Sequence, residues 1–183
     1  MFLIVDNTHR KIRNTIKMRM NSALLPFILT DAEHADSFMP CGLIIVTEQY
    51  LYKDIKYISD LNGKTPVIIW DESDIADFAL NAYREIYGIQ IFGTANGLIE
   101  FDGRNVKFYG KRLRLTPSEK KIVCFLMYSG GWHEKEQIAE FCLRSGRKGT
   151  ESVPVHICNI NNKAELATEA KIIKFRRFSG YSI

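Results

Sequence analysis

The sequence predicts an α/β chain in two parts. Residues 1–94 read as a small doubly wound parallel sheet, and residues 97–183 as a short antiparallel platform followed by helices and a C-terminal hairpin. Three observations lead there. Apolar runs alternate with amphipathic helical stretches as far as residue 92, and three closely spaced β-like runs separated by turn signals follow. The charge then changes sign: residues 1–100 hold 9 Lys or Arg against 13 Asp or Glu, and residues 101–183 hold 16 against 8. An acidic half joined to a basic half suits a regulatory domain joined to a nucleic-acid-binding one, although a basic half also suits a membrane surface or an acidic protein.

At 183 residues and 46% hydrophobic composition the chain is long enough for one large or two small cores. Cys41, Cys124, Cys142 and Cys158 are scattered, with no CxxC pair, and the histidines are equally dispersed. Neither a zinc site nor a disulfide scaffold is expected, and a reducing, cytoplasmic compartment is. The apolar start MFLIV is stopped at once by Asp6. It is too short for a signal peptide or a membrane span, so no membrane partner is expected.

Phe2 to Val5 is an apolar, β-forming run ended by Asp6-Asn7, as a buried first strand should be. A helix over about Thr8–Met20 would set Ile12, Ile16 and Met20 or Arg19 on successive turns. A second strand is expected near Pro26–Leu29, then a helical or irregular passage over Asp31–Phe38. GLIIV at Gly42–Val46 is apolar on both faces, which suits a central parallel strand covered by helices. A short helix follows over Asp54–Leu61, then the strand PVIIW at Pro66–Trp70, with its proline at the tolerated first position. Ser73 can cap a helix to about Tyr87 that turns Ile75, Phe78, Ala79, Ala82 and Ile86 inward, and Gly88 ends it. Ile89–Phe92 completes the sheet as a fifth strand.

In such a sheet the functional crevice lies beyond the C-terminal strand ends. Those ends present Asp6 and Asn7, Thr47 and Glu48, and Asp71 and Glu72. Acidic oxygens so placed suit a magnesium ion, but chain leaving a sheet is commonly acidic because it is solvated, and no Gly-rich loop accompanies them. No metal or other cofactor is expected.

In the second half, Leu98–Phe101, Asn105–Phe108 and Arg112–Leu115 are short strands separated by Asp102-Gly103 and Tyr109-Gly110. Thr116-Pro117-Ser118-Glu119 is a helix start with a capping threonine, proline at the first position and glutamate three residues after the cap. The helix runs to about Tyr128, burying Ile122, Phe125 and Leu126, before Ser129-Gly130-Gly131 ends it. Trp132 is expected in the core and His133 as a cap or surface group ahead of a helix over Glu134–Cys142 that turns Ile138 and the Phe141/Cys142 pair inward. The basic loop Leu143–Gly149 brings Arg144, Arg147 and Lys148 as candidate phosphate contacts. From Thr150 to Ala164, Val153, Ile157, Ile160 and Ala164 form one apolar stripe. His156, Asn159, Asn161, Asn162 and Lys163 then occupy the other side, with hydrogen-bonding groups of the kind that read base edges or hold phosphates. Ile172, Ile173 and Phe175 mark a strand, Phe178-Ser179-Gly180 a turn and Tyr181–Ile183 the return, with Lys174, Arg176 and Arg177 around the hairpin.

IVDN, GLIIVT and PVIIWD resemble the receiver domain of bacterial two-component response regulators. LTPSEKKIVCFL, SVPVHICNINNKA and IIKFRRFSGYSI resemble, in order and spacing, the winged helix-turn-helix DNA-binding domain of the same family, in the class with a platform sheet. The resemblance implies a recognition helix over Thr150–Ala164 and a wing in which Arg177 matches the wing arginine. It also implies double-stranded DNA as partner, a homodimer through the receiver-like domain and contact with RNA polymerase. Against the receiver pattern, Asn7 replaces one acid, Thr47 stands where the phosphate-accepting aspartate would be, Asp71 stands at the Ser/Thr position, and IQIFG offers no lysine. A threonine hydroxyl cannot form an acyl phosphate, so Asp6, Asn7, Thr47 and Asp71 describe a degenerate pocket and aspartyl phosphorylation is not expected. IFGTANG leads directly into the platform, leaving no room for the receiver's last helix. In the wing, Phe178 replaces the glycine usual before the Gly-Tyr pair.

The expected function is a sequence-specific, DNA-binding transcription regulator acting independently of aspartyl phosphorylation. The alternative is a protein-interaction module that docks a partner through the winged helix. An enzyme is not expected, because no nucleophile, base and orienting group can be assembled.

Overall fold

The computed structural model describes residues 2–6, 10–31, 42–47, 65–70, 73–94, 96–143 and 147–183. The chain divides into two compact units, Met1–Gly88 and Ile89–Ile183. The helical or irregular passage expected over Asp31–Phe38 and the helix expected over Asp54–Leu61 lie outside the described residues, apart from Asp31 itself.

The first unit is built on β1 (Phe2–Val5), α1 (Arg10–Ser22), β2 (Phe27–Thr30), β3 (Leu43–Val46), β4 (Val67–Ile69) and α2 (Ile75–Tyr87). Its sheet is parallel with strand order β2-β1-β3-β4, the doubly wound arrangement. The two central strands, FLIV and LIIV, are buried at every position, which is why both read as unbroken apolar runs instead of alternating ones. Ile16 and Met20 of α1 and Ile75, Ala76, Ala79 and Tyr83 of α2 are buried, and the Tyr83 ring meets Phe2 edge-on at 5.7 Å. Of the apolar residues at helical spacing, Ile12 and Ile86 are exposed, while Tyr83, outside that set, is buried. The α2 cap is Asp74 and not Ser73, since the Asp74 carboxylate accepts from the N–H groups of Ala76 (3.0 Å) and Asp77 (3.3 Å). Gly88, at φ +60°, ends the helix as expected.

The second unit comprises β5 (Gln90–Thr94), β6 (Gly97–Phe101), β7 (Val106–Phe108), β8 (Lys111–Arg112), α3 (Pro117–Ser129), α4 (Lys135–Cys142), α5 (Arg147–Thr168), β9 (Lys174–Arg176) and β10 (Gly180–Ser182). Its first four strands form an antiparallel sheet in sequence order. The strand expected to close the parallel sheet is therefore the first strand of this platform. The cause is local: only Ala95 and Asn96 separate β5 from β6, and so short a connection favours a hairpin. Packing supports it, because the Tyr128 hydroxyl donates to Gln90 Oε1 (2.5 Å) and its ring meets Phe92 edge-on at 5.3 Å. The last platform strand is shorter than expected, with Leu113 and Leu115 buried in extended chain beyond it.

The capping box at the start of α3 forms as the sequence predicts. Thr116 Oγ accepts from the Glu119 N–H (3.3 Å) and Glu119 Oε2 accepts from the Thr116 N–H (2.7 Å). The α3 residues Ile122, Phe125 and Leu126 are buried, as are Ile138 and Cys142 of α4, and both helices pack against α5. The chain is thus a doubly wound parallel sheet followed by a platform and a winged helix-turn-helix unit.

Candidate nucleic-acid interface

The apolar stripe of α5 decides which way the helix faces. Val153, Ile157, Ile160 and Ala164 are all buried, and full burial of a valine or isoleucine side chain contributes about 1.5–3 kcal/mol. At about 100° per residue, the positions opposite the stripe are Lys148, Glu151, Val155, Cys158, Asn159, Asn162 and Leu166, and all seven are exposed. Asn159 and Asn162 therefore lie on the open face. His156, Asn161 and Lys163 lie on its flanks and are half-buried. Val155 (60% exposed) and Leu166 (90% exposed) also stand on this face, apolar residues that hydrogen-bonding capacity does not single out but helical angle does. Pro154 sits inside the helix, where it lacks the N–H that would bond the Thr150 carbonyl.

Two of the flanking residues are engaged within the unit. Asn161 spans from the helix to the start of the hairpin: its Oδ1 accepts from the N–H groups of Ile172 (3.2 Å) and Ile173 (2.9 Å), and its Nδ2 donates to the Ile173 carbonyl (2.9 Å). Lys163 Nζ lies 2.6 Å from Glu119 Oε2, the same oxygen that closes the capping box, and the Glu119 side chain is only 3% exposed. The Lys163 charge is thus directed at a buried carboxylate. On the open face, Asn162 Nδ2 approaches Cys158 Sγ at 3.7 Å.

The wing is the antiparallel pair β9–β10, with Gly180 opposite Arg176 and Ser182 opposite Lys174. The segment before α4 adds a third line of pairing, since His133 and Tyr181 exchange backbone hydrogen bonds (2.9 and 2.8 Å). This contact explains Gly180. Its φ is +88°, and a Cβ there would fall 2.0 Å from the His133 carbonyl oxygen. Gly180→Ala is expected to destabilise the unit by about 2 kcal/mol, from overpacking and backbone strain together. The Tyr181 amide should lose its protection against hydrogen exchange in that variant, and a variant exchanging there as slowly as the wild type would refute the role given to Gly180.

Trp132 corrects an expectation: it is 37% exposed instead of buried, and the Arg176 guanidinium lies 4.9 Å from its ring centre. Arg177 stacks similarly on Phe178, also at 4.9 Å. A guanidinium stacked by its face keeps its N–H groups pointing outward in its own plane, where phosphate oxygens can accept from them. His133 is a structural group, as expected: its ring meets Phe125 edge-on and Nε2 lies 2.7 Å from the Gly130 carbonyl oxygen. Of the loop cations, Lys148 is exposed in the first turn of α5, where Arg147 begins the helix, and Arg144 lies outside the described residues. The Cys124 and Cys142 thiols are pushed up by burial, which keeps them protonated, while Cys158 is exposed on the open face.

In the first unit, Asp6 and Thr47 are buried at the C-terminal ends of β1 and β3. Arg13 Nη1 donates to the Asp6 carbonyl (3.0 Å), and the Thr47 N–H donates to the Val5 carbonyl (3.2 Å). Thr47 Oγ1 has no hydrogen-bond partner among the described residues. Asn7 and Asp71, the other members of the degenerate pocket, lie outside them, as does Glu48. Among the described residues no cluster of three or more His, Cys, Asp or Glu is arranged to hold a metal, and no helix is long and apolar enough to cross a membrane.

No family model matches the chain, and no curated protein does. Among solved structures it is similar to a mutant of RitR at 16% identity, covering 100% of this chain and 97% of that one with a TM-score of 0.43. It is similar to a structure described as a novel family of redox sensors in the streptococci evolved from two-component response regulators, at 14% identity, 100% and 98% coverage and a TM-score of 0.43. A third is the response regulator DrrB, described as an OmpR/PhoB homologue of Thermotoga maritima, at 14% identity, 100% and 97% coverage and a TM-score of 0.38.

Proposed function

We propose that this chain is a sequence-specific regulator of transcription that binds double-stranded DNA, and that its receiver-like unit works without aspartyl phosphorylation. The observation that carries the reading is the pairing of an open face on α5, bearing Asn159 and Asn162, with an adjoining wing that presents Lys174, Arg176 and Arg177. Lys148, at the N-terminal end, is the cation on the open face, and the stretch beyond it includes the acid Glu151. Base readout and electrostatic grip are therefore divided: the asparagines suit bidentate contact with adenine and Val155 suits a thymine methyl, while Lys148 and the wing hold phosphates. His156 borders the groove. Asn161 and Lys163 act as positioning residues that orient the helix against the hairpin and against α3. In the first unit, a buried threonine at the end of β3 offers no carboxylate for phosphoryl transfer. Control then passes through dimerisation or a protein partner such as RNA polymerase.

Selection from a random duplex pool with the full-length protein tests the reading. It should yield a consensus site, and Arg176→Ala/Arg177→Ala should weaken binding to every duplex and reduce the salt slope by roughly 2. An unchanged affinity and slope in the double variant would remove the wing from the interface. One observation favours a second reading, docking of a protein partner: Val155 and Leu166 place apolar surface on the same open face. That reading gains if selection returns no consensus and the protein holds no duplex at low salt.

A further inference from the structure

The tip of the wing carries a residue that neither the fold nor water favours. Arg176 to Ser179 is a β-turn closed by the Ser179 N–H to the Arg176 carbonyl (3.1 Å), and Phe178 occupies its third position at φ +65°. Glycine or asparagine ordinarily takes that conformation, and a bulky side chain there is strained. The ring is also 89% exposed, and the Arg177 guanidinium lies over it at 4.9 Å from the ring centre. The support beneath is firm, because the hairpin is paired to His133 and Arg176 rests on Trp132. From Lys171 to Ile183 there are four Lys or Arg and no acid, so the surroundings of this apolar tip complement a polyanion.

We propose that Phe178 is a wedge that enters the minor groove and partly unstacks a base step, while Arg176 and Arg177 hold the phosphates on either side. This inference rests on the DNA-binding reading above. An apolar wedge backed by cations kinks a duplex toward the major groove, at an energy set by how easily the step deforms. The protein therefore reads a position it does not hydrogen-bond. Selected sites should carry a TA or CA/TG step under the wing, since those steps unstack most readily.

The test uses the full-length protein with a selected duplex carrying dyes at both ends and 2-aminopurine at the step under the wing. Binding of the wild type should raise both the energy transfer between the ends and the 2-aminopurine fluorescence. Phe178→Gly and Phe178→Ala should lose both signals and bind about tenfold more weakly, the order of a single mismatched base pair, with the salt slope unchanged. Glycine is the safer variant for folding, because it takes the tip conformation without strain. A Phe178→Gly protein that binds, bends and unstacks like the wild type would overturn the wedge and leave the DNA-binding reading standing. A wild-type protein that holds no duplex overturns both. A straight bound duplex, with Phe178→Ala losing its hold on RNA polymerase instead, would assign the ring to a protein contact and overturn the wedge as well.

Discussion

Replacing Asn161 with alanine should lower the unfolding free energy of the second unit by about 2–4 kcal/mol, although the side chain lies at the edge of a surface helix. The amide satisfies three backbone groups of Ile172 and Ile173, and both isoleucines are buried. Alanine would leave two donors and an acceptor without partners where water enters poorly, at about 1–3 kcal/mol for each group left unsatisfied, reduced by local relaxation. Urea unfolding should show a lower midpoint at an unchanged slope, and the amides of Ile172 and Ile173 should exchange faster. Asn161→Asp is the informative companion. It keeps the Oδ1 acceptor for both N–H groups but sets a carboxylate oxygen in place of the Nδ2 donor, against the Ile173 carbonyl, so it should recover at most part of the loss. If alanine leaves the midpoint and the two exchange rates at wild-type values, Asn161 does not join helix to wing.

Asn161 also shows where sequence reasoning stops. The stripe Val153, Ile157, Ile160 and Ala164 was legible because four apolar residues at helical spacing define a single direction. The same arithmetic puts Asn161 and Lys163 on the flanks, where a polar side chain turns outward or inward according to what its neighbours lack. The N–H groups of Ile172 and Ile173 call for an acceptor and the buried Glu119 for a cation; neither need is visible from the helix alone. The capping box at Thr116 was legible because donor, acceptor and spacing all fall within four residues. Ile89–Phe92 was recognised as a strand but given to the wrong sheet, since an apolar run specifies burial and not partner, and the two-residue turn to β6 decided the pairing. The general habit of tryptophan points Trp132 to the core, and its stacking with Arg176, 44 residues later in the chain, has no local signature.

Lys163→Met should cost about 2–3 kcal/mol of stability, and Glu119→Gln about 1 kcal/mol. The asymmetry follows from which partner can reach water. The Glu119 side chain is 3% exposed and the Lys163 side chain 33%. Removing the lysine strands a carboxylate that still accepts from the Thr116 N–H, whereas removing the carboxylate's charge frees an ammonium that can turn to solvent. Breaking a buried pair from one side costs about 3–5 kcal/mol, and the partial exposure of Lys163 brings the expected loss below that. The double variant Lys163→Met/Glu119→Gln should therefore be more stable than Lys163→Met alone, a coupling that a double-mutant cycle in urea reads directly. Additive losses would mean that the two groups do not compensate each other. The same variant separates the two uses of positive charge in this unit. Because the Lys163 ammonium is neutralised inside the protein, Lys163→Met should leave the salt slope of duplex binding close to the wild-type value, while Arg176→Ala/Arg177→Ala lowers it. A slope that falls by about 1 in Lys163→Met would place Lys163 on a phosphate and make Glu119 its competitor for that charge.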